Sequence, residues 1–340
     1  MKGRLGILFI LVLFSTSYSC SFFKDEKQPP QQTIPTSLEI DKLTEAIKKN
    51  PNDDKLLYKR SNIYRSMKLD SLALADLYKA IKIDSTKSNY FSAIGDILFE
   101  HKDINGSIGW IYKAIHLNPD DAVAHLKIAK IFLYSEEYPK AFTEINTVLR
   151  SDVYNAEAYF LKGMCYKNMK DTNKAISSFQ TAVQTDPQYV DAHMQLALIY
   201  KAKNNPLALQ YFENAYRSDS SSMEPLYGQG MFWQDQNKFD EAKKVFRRCI
   251  LIDKNFEKAY YNTGWMLLQE DSTEKALRQF DMAISVKQDY VEAYFNRGLC
   301  QEILEKNDLA IADYNQALTF NPDYEPAKLA LVRVNKKLKK

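Results

Sequence analysis

From Asp54 to Tyr324 the chain repeats one pattern of about 34 residues eight times, with one unit a residue short. No segment of that length buries a complete core by itself, so a fixed period forces an architecture in which stacked neighbours share one. The units run 54–87, 88–121, 122–155, 156–189, 190–222, 223–256, 257–290 and 291–324. Their eighth positions are all small: Ser61, Gly95, Ala129, Gly163, Ala197, Gly230, Gly264 and Gly298. A second small column reads Ala73, Ser107, Ala141, Ala175, Ala208, Ala242, Ala276 and Ala310, and a third runs from Ala80 to Ala317 with Val148 and Cys249 as its variants. Between them stand large apolar residues: Leu77, Ile111, Ile145, Phe179, Phe212, Phe246, Phe280 and Tyr314. Small residues let two helices approach, and the bulky side chain fills the adjoining hole.

The fold class expected is all-α. Amphipathic helical patterns dominate, and ten glycines in 340 residues leave few hairpin signatures. Units close on breakers such as Asn118-Pro119, Asp186-Pro187 and Asn321-Pro322, where Asn or Asp accepts from free backbone N–H groups and proline halts the preceding helix. The short fifth unit is expected to lose its residue in the internal turn Lys203-Asn204-Asn205-Pro206. Segments 38–53 and 325–340 read as half-units that cap the array, with Lys336, Lys337, Lys339 and Lys340 on a solvated face.

These columns resemble the tetratricopeptide repeat, whose pattern is W-x2-L-G-x2-Y, then A-x3-F, then P. The fourth unit shows it through Tyr159, Gly163, Tyr166, Ala175, Phe179, Ala182 and Pro187. The resemblance implies a right-handed α-solenoid superhelix whose first helices line a concave face. It also implies that positions five and nine of each unit point into the groove. These read Tyr58 and Asn62, Ser92 and Asp96, then Leu126 and Lys130. From the fourth unit they become apolar or aromatic: Phe160 and Met164, Met194 and Leu198, Tyr227 and Met231, Tyr261 and Trp265, Phe295 and Leu299. A contiguous apolar lining rich in Met and aromatics suits a protein or peptide partner. Packing is the competing account of the same residues. The Lys and Asn set that would clamp a terminal carboxylate is incomplete, with only Lys59 and Asn62 or Lys127 and Lys130 present.

Ahead of the array, residues 1–19 read as a signal peptide. A basic Met1–Arg4 segment precedes an apolar run, Leu5–Phe14, that is too short to span a bilayer. Ser15–Ser19 leading into Cys20 resembles the lipobox of bacterial lipoproteins, although Ser17 stands where leucine is usual. The resemblance implies lipid attachment at Cys20 and a tether over residues 20–37. It also implies an outer-membrane lipoprotein of the cell envelope, facing the periplasm or, through Lys24-Asp25-Glu26, the cell surface. With Lys2 and Arg4 removed in that leader, the net charge falls from +3 to +1, which argues against a nonspecific nucleic-acid binder.

Nothing in the chain points to catalysis, a cofactor or a metal. Four histidines occur, no HExxH, GxSxG or P-loop is present, and His125 and His193 occupy a bulky packing column. Cys165, Cys249 and Cys300 sit in core columns without CxxC spacing. The expected function is a membrane-anchored module that binds a polypeptide segment in its groove, serving envelope assembly or secretion. The alternatives are a scaffold or oligomer that uses its convex face or ends, and a glycan or peptidoglycan binder.

Overall fold

The computed structural model describes residues 37–338, and the expected leader, Cys20 and most of the tether lie outside that range. Eighteen α-helices account for the described chain. Helix α1 (Leu38–Lys49) stands alone. The pairs that follow are α2 (Asp54–Ser66) with α3 (Asp70–Ile83), α4 (Ser88–Glu100) with α5 (Ile104–Leu117), α6 (Ala122–Tyr134) with α7 (Tyr138–Ser151), and α8 (Ala156–Asn168) with α9 (Thr172–Thr185). They continue as α10 (Val190–Ala202) with α11 (Leu207–Ser218), α12 (Glu224–Asp235) with α13 (Phe239–Ile252), α14 (Glu257–Gln269) with α15 (Thr273–Val286), and α16 (Val291–Ile303) with α17 (Asn307–Phe320). Helix α18 (Glu325–Leu338) closes the array. Each helix packs on the next, and first helices also touch first helices of neighbouring units, as α6 touches α8 and α14 touches α16. The first helices therefore form the inner layer of an α-solenoid.

Packing between the two helices of a unit is set by the small columns. A Cβ added at Gly163 would lie 2.6 Å from the Phe179 ring, one at Gly230 2.4 Å from Phe246, and one at Gly298 2.8 Å from Tyr314. The rings occupy the space that a side chain at the eighth position would need, and all three are fully buried. In the fifth unit the eighth position is Ala197, and Phe212 instead closes on Gly228 of the next unit, whose missing Cβ would meet it at 2.4 Å. Cys165, Cys249 and Cys300 are buried in the same seams. Burial pushes the first two thiols up to about 11 and the third to about 12, which keeps them unreactive.

Each pair turns on one residue with a left-handed backbone: Lys68, Lys102, Glu136, Lys170, Asn204, Asn237, Asp271 and Glu305. The next residue donates back five positions, as in Asp171 N to Tyr166 O at 2.9 Å, satisfying a carbonyl that the helix end leaves free. Glycine fills none of these positions, and a lysine or glutamate there bears about 1 kcal/mol of strain. Lys170→Gly is expected to raise unfolding stability by about 0.5–1 kcal/mol, read from a denaturant midpoint at unchanged slope. The fifth unit's deletion departs from the expected place. Its turn is intact, with Asn204 at φ 51° and Asn205 N bonded to Tyr200 O at 2.9 Å, and the missing residue comes from the start of α11. That helix has 12 residues where other second helices have 14.

Buried polar bridges fix the register of successive units. Arg60 donates to Asp76 of its own unit at 2.7 and 2.8 Å, and to Thr44 of α1 at 3.0 Å. Arg297, seven units on, donates to Asp313 of its own unit at 2.8 and 2.6 Å, and to Asp281 of the preceding unit at 2.8 Å. Hydrogen bonding to these carboxylates raises both guanidinium pKa values above their ordinary range. Thr44 stands in α1 where Asp281 stands in α15, so the lone first helix acts as a second helix without its partner.

Candidate binding groove

The inner layer changes chemistry along its length. Over the first three units it is polar and internally bonded. Asp96 accepts from Arg65 at 3.1 Å and from Lys127 at 2.8 Å, Lys127 also reaches Ser92 at 2.8 Å, and Glu100 takes Arg65 and Lys68 at 3.1 Å each. Lys127 is thereby committed to its neighbours, a physical reason beyond incomplete sequence matching for the absence of a carboxylate clamp. Leu126 is buried, whereas Asn62 and Lys130 are exposed.

Of the ten apolar positions expected to line the groove from the fourth unit on, nine are half-buried: Phe160, Met164, Met194, Tyr227, Met231, Tyr261, Trp265, Phe295 and Leu299. Leu198 is 45% exposed. Several of these side chains also serve packing. Phe160 lies 5.8 Å from Phe179, Tyr227 5.9 Å from Phe246, Tyr261 5.8 Å from Phe280, and Phe295 5.8 Å from Tyr314, so each fifth-position ring leans on its unit's core ring. The Tyr261 hydroxyl further accepts from buried Asn296 at 3.1 Å. Truncation of Tyr261 would therefore damage the fold as well as the lining, whereas Leu198 and Leu299 report on the groove with less cost.

A further column belongs to this surface and was missed at the sequence level. The last position is aromatic in the fourth, sixth, seventh and eighth units, with Ser222 in the fifth, and each ring packs on the fifth-position ring of the same unit. Tyr189 lies 5.3 Å from Phe160, Phe256 5.8 Å from Tyr227, Tyr290 5.0 Å from Tyr261, and Tyr324 5.7 Å from Phe295. That position caps the next first helix. In the front half Asp53, Asp121 and Asn155 cap α2, α6 and α8 through their side chains while Lys87 leaves α4 uncapped, and further on Tyr189, Phe256 and Tyr290 leave α10, α14 and α16 without a side-chain cap. A side-chain cap contributes about 1 kcal/mol. The signal that would have found the column is its simultaneous loss of Asp or Asn and gain of an aromatic. Burial, and then neighbouring tyrosines and Glu292, push the Tyr261 phenol up to about 12 and Tyr290 well above its ordinary value.

His125 and His193 are buried, as their column requires. The two ring nitrogens of His125 lie 2.6 Å from Glu144 Oε2 and 3.0 Å from the Pro119 carbonyl. His193 keeps only the equivalent carbonyl of Pro187, at 2.9 Å, because Tyr211 stands where the third unit has Glu144. Among the described residues no group of three or more His, Cys, Asp or Glu is placed to hold a metal ion, and no helix is long and apolar enough to cross a membrane.

Family models described as tetratricopeptide repeat match residues 156–189, 224–256 and 291–324. Two of these ranges coincide with the fourth and eighth units, and the third begins one residue inside the sixth. Among curated proteins, the chain is 26% identical over 111 residues to anaphase-promoting complex subunit 3 of Dictyostelium discoideum, covering 32% of this chain and 11% of that protein. It is 31% identical over 87 residues to the type IV pilus assembly protein PilF of Pseudomonas aeruginosa, covering 25% of this chain and 34% of that protein. The chain thus spans about a third or less of the length of these relatives. Among solved structures, the C-terminal part of a TPR repeat-containing protein from Cytophaga hutchinsonii superposes with a TM-score of 0.58 at 19% identity, over 70% of this chain and 98% of that one. Matched units within an all-helical solenoid that packs small residues against large ones show that the chain carries tetratricopeptide repeats.

Proposed function

We propose that the protein is a lipid-anchored module of the bacterial envelope that captures a polypeptide segment in the back half of its groove, in the service of assembly or secretion. The observation that carries this reading is the exchange at the last position of the unit. In the fourth, sixth, seventh and eighth units an aromatic ring stands where Asp or Asn can cap, and it does so beside the apolar fifth and ninth positions. Folding alone does not require it, since the front half stacks without such rings, on side-chain caps at α2, α6 and α8 and a lysine at the start of α4. Aromatics and methionine on a rigid inner surface favour an extended or helical segment with apolar anchors. The likeness to a pilus assembly protein is in keeping with envelope work, though it covers only a quarter of this chain.

The test is recovery of bound polypeptides from solubilised envelopes on wild-type protein and on the variant Leu198→Glu/Met231→Glu/Leu299→Glu. Recovery is expected to fall at least about tenfold while the melting temperature stays within a few degrees, because three anchors of roughly 1 kcal/mol or more each are lost from the partner and little from the core. Equal recovery would shift the function to the convex face or the ends. For the anchor, Cys20→Ser is expected to abolish incorporation of a clickable fatty acid, and undiminished labelling would remove Cys20 from the account.

A further inference from the structure

The repeat supplies its own comparison, because equivalent positions recur with different occupants. In the sixth unit the Tyr227–Phe256 ring pair is covered by the chain's own lysine. Lys258 Nζ sits 5.3 Å from the centre of Tyr227 and 6.0 Å from that of Phe256, and it is fixed by Glu224 at 3.1 Å. Glu224 holds the second position of its unit, and Lys258 the second position of the next. Two units earlier, the equivalent ring pair is Phe160–Tyr189, 5.3 Å apart and inclined at 38°. Its flanking second positions are Glu157 and Asp191. The carboxylate that steadies the ammonium is kept, and a second carboxylate stands where the lysine was. No cation covers either ring among the described residues, and Asp191 has no ion-pair partner among them. Lys130 approaches Glu157 only to 3.7 Å, with both side chains half exposed. Burial first, and then the nearby charges of Glu157, Asp191 and Asp186, push the Tyr189 phenol well above its ordinary range.

Building on the groove reading above, we infer that Phe160, Tyr189, Glu157 and Asp191 form a seat for a lysine ammonium carried by the captured polypeptide. Lys258 on Tyr227, Phe256 and Glu224 is the internal copy of that bound state. Ring faces attract an ammonium, and two carboxylates beside them compensate its charge as it leaves water. The seat lies at the start of the apolar lining, so a basic residue would enter there, with apolar anchors continuing towards the eighth unit.

Two pentapeptides test this on the full mature chain by calorimetry at low salt: one with a single lysine between leucines, and a twin with norleucine, which keeps the methylenes and removes the charge. The lysine peptide is expected to bind at least about fivefold more tightly, and Glu157→Gln/Asp191→Asn to erase that preference; both carboxylates are exposed, and circular dichroism confirms the fold. Lys258→Met vacates the internal copy and is expected to raise the number of lysine-peptide sites from one to two. Equal binding of the twins overturns the seat while leaving the groove in place. A preference that survives the double variant, or a site number that stays at one in Lys258→Met, also overturns the seat. Binding of neither peptide at millimolar concentration overturns the groove reading, and the seat falls with it.

Discussion

Phe246→Ala is expected to cost about 3–5 kcal/mol of unfolding stability and to loosen the solenoid locally. The ring is fully buried between α12 and α13, and it occupies the space that a side chain at Gly230 would need. Truncation leaves a hole bounded by Tyr227 on the groove side, and the two helices cannot close it without disturbing contacts with α11 and α14. In a one-dimensional stack the loss propagates to neighbours and then fades. Hydrogen exchange should therefore quicken from α11 to α14 and remain at wild-type rates in α2–α5. A loss under about 1 kcal/mol, or uniform quickening along the chain, would contradict this packing account.

Removing Asp76 alone should be nearly as damaging, for an electrostatic reason. Its side chain is almost wholly buried, and it takes two hydrogen bonds from Arg60, whose other partner is the neutral hydroxyl of Thr44. Asp76→Ala strands a guanidinium that is itself mostly buried, with an expected cost of about 3–5 kcal/mol. The equivalent Asp313→Ala is expected to cost less, because Arg297 keeps Asp281 at 2.8 Å. Replacing both partners, as Arg60→Met/Asp76→Leu, should bring the loss back to within about 1–2 kcal/mol, since no uncompensated charge remains. Denaturant unfolding of the three variants checks the order. A double variant as unstable as Asp76→Ala would mean that the pair itself, rather than the stranded charge, carries the stability.

The core was legible because close packing imposes the same volume at the same place in every unit. A reader who aligns Gly163 with Gly230 and Phe179 with Phe246 has located the seam before seeing a helix. The turns were less so. Left-handed backbone usually announces itself through glycine or asparagine, but here Lys68, Lys102 and Lys170 adopt it under the constraint of two packed helices. The polar bridges were hidden for another reason: Arg60 and Arg297 share a column, while their partners differ in kind from Thr44 to Asp281. Within the groove, the fifth and ninth positions were named from resemblance to the family, and the structure adds that the fifth-position rings are shared with the core. The last-position aromatics escaped notice because helix breakers were read three residues earlier, at Asn118-Pro119 and Asp186-Pro187, and the last column was not read at all. In that column Asp53, Asp121 and Asn155 cap the next helix, Lys87 does not, and Tyr189, Phe256 and Tyr290 place rings there where the inner face turns apolar.

The most direct measurement places a photo-crosslinking amino acid at Leu198 in living cells, with a matched control at Lys244 on a second helix. Leu198 is the most exposed of the ten lining residues, and Lys244 stands out in solvent. The account predicts one dominant polypeptide adduct at Leu198 and none at Lys244. Adducts confined to Lys244, or none at Leu198 while the protein remains folded and abundant, would contradict it.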